Sequence, residues 1–78
     1  MNDIEKLEFV INELKNNFKE LKNIEKWSST GEDYFIKQER QLEKENALLC
    51  NYIYSHYKNE NIAEGIILSI FQSATGEV

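Results

Sequence analysis

The sequence has no proline, three glycines and a single cysteine among its 78 residues. Proline and glycine usually mark loops, so their scarcity predicts a mostly helical chain with few breaks. Cys50 has no partner for an internal disulfide, and one cysteine is too few for a zinc ligand set. This cysteine usage fits a reducing compartment. We therefore expect a cytoplasmic protein without a metal or another cofactor.

Positive charge and long apolar runs are also scarce. Nine lysines and arginines stand against fourteen aspartates and glutamates, which gives a net charge of -5. Because clusters of Lys and Arg bind phosphate backbones, we expect no direct nucleic-acid binding. The apolar stretches fall far short of the roughly 18 residues of a membrane span, and the first residues lack a signal-peptide pattern. No membrane association is expected.

The size of the chain predicts one domain, residues 1–78, and no enzyme. A domain this small buries only about 60% of the surface that its unfolded chain exposes, which leaves little room for a catalytic pocket. His56 is the only histidine, and its spacing from Ser55 and Cys50 does not place a base against a nucleophile on a helix. We expect no catalytic residue.

Three glutamates in the middle of the chain could be interpreted as metal ligands, namely Glu39, Glu43 and Glu45. They alternate with basic residues, and no Glu-x-x-His motif accompanies them. This pattern is typical of a solvated helix face.

Apolar residues recur every three or four positions through the first third of the chain. This coiled-coil spacing predicts a helix over about residues 3–27, roughly 37 Å long. A second helix is predicted over about 32–58, and a short apolar third helix over about 62–72 with a frayed tail at 73–78. The predicted seam of the first helix consists of Ile4, Leu7, Ile11, Leu14, Phe18 and Leu21.

Capping pairs and charge order complete the predicted all-α fold. Three pairs have the spacing of a helix-capping box, namely Ser29 with Glu32, Thr30 with Asp33, and Asn61 with Glu64. Acidic residues begin the first helix and basic residues end it, and this order complements the second helix if the two run antiparallel. We expect an antiparallel hairpin of two long helices with the third helix packed against it.

The chain carries more apolar surface than one copy is expected to hide. The seam residues, together with Ile66 and Ile70 of the apolar third helix, therefore predict a homodimer interface. The alternative is that the seam packs only within one chain.

Aromatic residues concentrate near the end of the second helix. Tyr54, Tyr57 and Lys58 share a helix face and are the predicted contact patch for a partner protein, since tyrosine is frequent at binding surfaces. The alternative is ordinary packing under the third helix. Trp27 is a second candidate contact residue.

Tyr52 and His56 share a different face of the same helix, and we expect this pair to be part of the core. They also support an alternative function, in which aromatic rings and Lys58 hold a nucleotide at an oligomer interface. No glycine-rich phosphate loop accompanies them.

Three function classes remain. The leading hypothesis is a non-enzymatic interaction protein, a small regulator, inhibitor or adaptor of a larger bacterial protein. A composition rich in asparagine, lysine, glutamate and isoleucine suggests an AT-rich bacterial or phage genome, and a mobile-element origin would suit such a chain. The alternatives are a small-ligand sensor or sponge and an acidic mimic of DNA that blocks a DNA-binding protein.

Overall fold

The protein is all-helical in the computed structural model, which describes residues 2–28 and 33–76, with the backbone alone for residues 26–28. Three helices and no strand occur in the described ranges: α1 (Asp3–Ser28), α2 (Asp33–Tyr57) and α3 (Glu60–Thr75). Each helix contacts both of the others. The all-α class predicted from the sequence is confirmed.

Asn2 caps the start of α1, which the sequence pattern did not indicate. The backbone N–H of Glu5 donates to Asn2 Oδ1 at 2.8 Å, and Asn2 Nδ2 donates back to Glu5 Oε1 at 3.3 Å. The first bond satisfies one of the N–H groups that a helix start leaves without partners, and the second links the two side chains. The boxes predicted for the second helix lie largely in residues 29–32, outside the described residues.

α2 ends in a tight turn at Lys58. This residue adopts a left-handed backbone with φ of 55°, and its N–H donates to the carbonyl of Tyr54 at 3.0 Å. Such a left-handed residue commonly ends a helix, although glycine is the usual choice because a Cβ is strained there. Lys58 and Asn59 alone connect α2 to α3.

Asn59 caps α3. Its Oδ1 accepts hydrogen bonds from the N–H groups of Asn61 and Ile62, at 3.0 and 3.2 Å. The predicted box of Asn61 with Glu64 is therefore wrong, because Asn61 already lies inside the helix while Asn59 has the extended backbone of an N-cap. α3 accordingly starts two residues before the predicted boundary.

The end of α3 is ordered through Thr75, so the predicted frayed tail is wrong for residues 73–75, and residues 77–78 lie outside the described part. Lys22 Nζ donates to the carbonyl of Thr75 at 3.1 Å. Gly76 follows with φ of 74°, the left-handed conformation that closes many helices. The Lys22 hydrogen bond satisfies the carbonyl of Thr75, which the end of a helix leaves without an intrahelical partner.

A small core joins the three helices. Among the described residues the buried apolar side chains are Val10, Leu14, Ile24, Ile53, Ala63 and Ile70. On α1 the buried positions are displaced from the predicted seam, which shares only Leu14 with them. The reason is that α1 packs against both α2 and α3. Val10 and Ile24 are buried on one edge of its apolar face. Phe18 lies on the other edge, where its ring meets Phe71 of α3 edge-on at 5.3 Å.

α1 and α2 lie alongside each other over most of their length. Residues further along α1 share cavities or hydrogen bonds with residues earlier in α2. The pairs are Phe9 with Leu48, Asn17 with Glu45, and Ile24 with Leu42. The chain measures 40 × 27 × 19 Å, so the two long helices set its long dimension.

Candidate functional site

Two large apolar side chains lie side by side in solvent on the surface that α1 and α2 share. Phe9 of α1 is 50% exposed and Leu48 of α2 is 71% exposed. Both line one cavity of about 300 Å³. Single exposed apolar residues are normal on a protein surface, but adjacent ones that border a concave site are typical of interaction surfaces.

A second cavity lies further along the same two helices. It has a volume of about 140 Å³, is lined by α1 and α2 alone, and shares no lining residue with the first. Helical spacing places both cavities on the same side of the helix pair. We call the two cavities together the α1–α2 groove. Its lining residues are Phe9, Glu13, Asn17, Glu20, Ile24, Gln38, Gln41, Leu42, Glu45, Leu48 and Leu49.

Charge in the α1–α2 groove has one sign. Glu13, Glu20 and Glu45 line it, and among the described residues that line it there is no lysine or arginine. The amide of Asn17 donates from Nδ2 to Glu45 Oε2 at 3.3 Å, which ties the two helices together at the middle of the groove. The surface is therefore apolar at its Phe9 end and acidic along its length.

Helix periodicity produces this lining. Steps of three and four residues bring Phe9, Glu13, Glu20 and Ile24 onto one side of α1. In the heptad numbering of the predicted seam, Phe9 occupies the position opposite the seam. An aromatic residue there is the signal in the sequence that could have identified the groove.

The predicted partner patch at the end of α2 is largely used for packing. Tyr54 and Tyr57 are half-buried and pack against the core, while Lys58 is exposed at the turn. Partial burial raises the pKa of the Tyr54 phenol, and the negative charge of Glu64 raises it further.

The second aromatic pair divides between core and surface. Tyr52 is half-buried against the core, whereas His56 is exposed, so the prediction that His56 is a core residue is wrong. The His56 ring lies roughly parallel to that of Tyr52 at 6.3 Å and edge-on to that of Tyr57 at 4.9 Å. His56 is excluded from the core because Ile53 occupies the inward position of this turn.

The residues predicted to form a dimer interface differ in their exposure to solvent. Leu14 is fully buried and Ile70 is 7% exposed within one chain, so neither is accessible to a second copy and these two assignments are wrong. Ile11, Phe18 and Ile66 are half-buried against the core, and Leu7 and Leu21 are half-buried, whereas Ile4 is 69% exposed. Packing of α1 against two helices, instead of one, explains the burial of its middle residues.

Another cavity of about 300 Å³ lies where the three helices meet. Phe18, Leu21 and Phe71 supply its apolar walls, and Lys22 and Glu25 of α1 stand at its edge with Glu39, Glu43 and Thr75. Its acidic residues are accompanied by a lysine, unlike those of the α1–α2 groove. This cavity lies over the rings of Phe18 and Phe71, which pack against each other.

Within residues 2–28 and 33–76, the groups that could bind a metal ion are not assembled into a site. No set of three His, Cys, Asp or Glu side chains in the described ranges is arranged to hold a metal ion. Cys50 is half-buried, and burial raises the pKa of its thiol, which keeps it in its less reactive protonated form. None of the three helices, over the residues described, has the length and apolar character needed to cross a membrane.

The side chain of Trp27, the remaining predicted contact residue, lies outside the described residues. Comparison of the chain with protein-family models, curated proteins and solved structures finds no match. The groove, its charge and its two exposed apolar residues are therefore the basis for a functional proposal.

Proposed function

We propose that this chain is a non-enzymatic interaction module, a small regulator, inhibitor or adaptor that binds a larger bacterial protein through the surface of its α1–α2 groove. The observation that carries the proposal is the pairing of Phe9 and Leu48 in solvent beside a concave site. A chain with six buried apolar side chains among its described residues gains little stability from two such residues left outside. Binding explains their placement, because a partner would remove them from water.

The proposed architecture of this module is an antiparallel hairpin of α1 and α2 with α3 packed against it. The order of neighbours between Phe9 with Leu48 and Ile24 with Leu42 supports this orientation. The hairpin matters for function because it brings residues 9 and 48, which are far apart in sequence, to one surface.

We also propose that the chain forms a homodimer, with α3 as the contact helix. Ile62 and Leu68 are 50% and 55% exposed on α3. Residues 65–76, which include Leu68 but not Ile62, contain no charged side chain. Two copies of a chain with net charge -5 repel each other least where segments without charged side chains meet. The proposed dimer surface thus differs from the predicted seam on α1.

The nucleotide-binding alternative draws less support from the fold than from the sequence. Two of the rings it would use, Tyr54 and Tyr57, are engaged in packing, and Lys58 lies in the turn between helices. The DNA-mimic alternative requires a continuous acidic surface, whereas apolar residues interrupt the acidic residues of the groove. Protein binding is the function that the groove supports best.

Matched double variants test the proposal. We would immobilise the wild-type chain, Phe9→Ser/Leu48→Ser, and Ile62→Ser/Leu68→Ser, and quantify retained proteins from a bacterial lysate by mass spectrometry. The first variant removes two exposed apolar residues from the groove, and the second removes two of similar exposure from α3.

The proposal predicts that Phe9→Ser/Leu48→Ser loses a retained protein that Ile62→Ser/Leu68→Ser keeps, while circular dichroism shows equal helicity. Equal retention by the wild type and the groove variant would contradict the groove assignment. Sedimentation equilibrium on the same proteins tests the dimer: the α3 variant should sediment as a 9.2 kDa monomer and the groove variant as a dimer.

A further inference from the structure

The charge and length of the α1–α2 groove indicate the chemistry of its occupant. We propose that the groove binds a basic amphipathic helix of three to four turns, with its apolar stripe on Phe9 and Leu48 and its lysines or arginines against the groove carboxylates. This inference rests on the proposed function and specifies the partner of the same surface.

Charge complementarity is the first support. Three glutamates and no lysine or arginine line the groove in the part of the chain that is described, although the whole chain has nine lysines and arginines. A second copy presenting the same groove would bring glutamates against glutamates, which is repulsive. An acidic or neutral partner would leave the groove carboxylates without counter-charges as it displaces their water.

The dimensions of the groove are the second support. The lining residues extend from Phe9 to Ile24 on α1 and from Gln38 to Leu49 on α2. At a rise of 1.5 Å per residue these stretches are about 22 and about 17 Å long, which matches a partner helix of roughly 11 to 15 residues. A groove between two helices accepts a third helix with ordinary ridge-and-groove packing.

The arrangement of the lining is the third support. Phe9, Leu48 and Leu49 form an apolar end, and the half-buried Leu42 supplies an apolar contact at the other end. Carboxylates of Glu13, Glu20 and Glu45 lie between or beside these contacts. An amphipathic helix that places an apolar residue at each end and cations between them satisfies both kinds of group.

The test uses a defined probe with the full chain. The probe is a fluorescein-labelled helical peptide of about 14 residues, with a stripe of leucines at heptad spacing flanked by lysines. One control peptide has the same composition in an order that destroys the stripe, and another has glutamates in place of lysines. Fluorescence anisotropy measures the Kd of each peptide.

Two charge variants separate groove binding from general attraction to an acidic protein. The groove-charge variant carries Glu13→Gln, Glu20→Gln and Glu45→Gln. The control-charge variant carries Glu8→Gln, Glu39→Gln and Glu43→Gln. It removes the same number of negative charges from positions outside the groove. Glutamine at position 45 keeps an oxygen that can accept the Asn17 hydrogen bond. Thermal melts verify that both variants fold.

We expect the striped lysine peptide to bind at least about 10-fold more tightly than either control peptide. The groove-charge variant and Phe9→Ser/Leu48→Ser should each weaken its binding by about 10-fold or more, and the control-charge variant by less than about 3-fold. Equal weakening by the two charge variants, or equal affinity of the striped and reordered peptides, would overturn the inference. If the peptide fails while Phe9→Ser/Leu48→Ser still loses its protein from the lysate, the proposed function stands and the basic-helix partner is rejected.

Discussion

The end of α2 and the α1–α2 groove use their large side chains in opposite ways. Near the end of α2, Tyr54 and Tyr57 are half-buried and help to hold α2 against the core. In the groove, Phe9 and Leu48 lie in solvent and contribute little to that core. Residue type alone suggested a binding role for the tyrosines, whereas we propose that role for the groove because its large apolar residues lie outside the packed helix faces.

The largest expected effect compares one aromatic residue from each region. Tyr57→Ala should lower the free energy of unfolding by about 2 kcal/mol, because it removes a ring packed on the core. Phe9→Ala should lower it by less than about 1 kcal/mol, because half of that ring is already in water. Urea unfolding followed by circular dichroism measures both values, and a greater loss from Phe9→Ala would reverse the comparison.

The two sides of α2 should also differ in their tolerance of a polar residue. Asn46 is buried on the packed side, and its Oδ1 has no hydrogen-bond partner among the described residues. Asn46→Leu should raise the free energy of unfolding by about 1 to 2 kcal/mol, since a buried oxygen without a partner costs that much. Asn51→Leu, at an exposed position of the same helix, is the control for helix propensity. A loss of stability in Asn46→Leu would indicate that the amide has a structural role.

A smaller effect is expected at the turn that ends the tyrosine region. Lys58→Gly should raise the free energy of unfolding by about 0.5 to 1 kcal/mol, because glycine relieves the strain of a left-handed backbone. Lys44→Gly, inside α2, should instead lower it by about 1 kcal/mol. Lys58→Gly should leave the retention of proteins from the lysate unchanged. A loss of retention with normal stability would indicate that Lys58 is part of the binding surface.

The smallest effect is a pH dependence that belongs to the packed region alone. The pKa of Tyr54 is raised by burial and then by Glu64, with Cys50 and Glu60 contributing, so the folded protein keeps this phenol neutral where the unfolded chain ionises it. The resulting stability is fully present below the unfolded pKa of about 10 and is lost as the pH rises through the folded value. Wild-type stability should therefore fall more steeply above about pH 10 than that of Tyr54→Phe. Parallel curves for the two proteins would show that the phenol ionises equally in both states.

The sequence was sufficient to predict three helices, because apolar spacing and the lack of proline are local properties. It placed the seam of α1 incorrectly because apolar residues occupy more heptad positions than the two of a seam, and only the location of α3 decides which are buried. Val10 and Ile24 are buried on one edge of this face, and Phe18 meets α3 on the other. Two-sided packing of this kind is a tertiary property.

Caps and site residues show the same limit. Asn59 and Asn61 have equal propensity to cap a helix, and the tight turn after Tyr57 selects Asn59. Tyrosine in general suggests a binding role, but Tyr54 and Tyr57 pack against the core here. The sequence pattern did not predict that Leu48 is exposed while Leu49 is half-buried. The two adjacent leucines differ only in the side of α2 on which each lies.

The most direct test is an NMR titration of the ¹⁵N-labelled chain with the striped lysine peptide, followed residue by residue. Binding in the groove predicts that the largest amide shifts occur around Phe9, Glu13, Glu45 and Leu48, with small changes between residues 52 and 58. Shifts concentrated between residues 52 and 58, with the groove unchanged, would contradict the assignment and return the binding site to the end of α2.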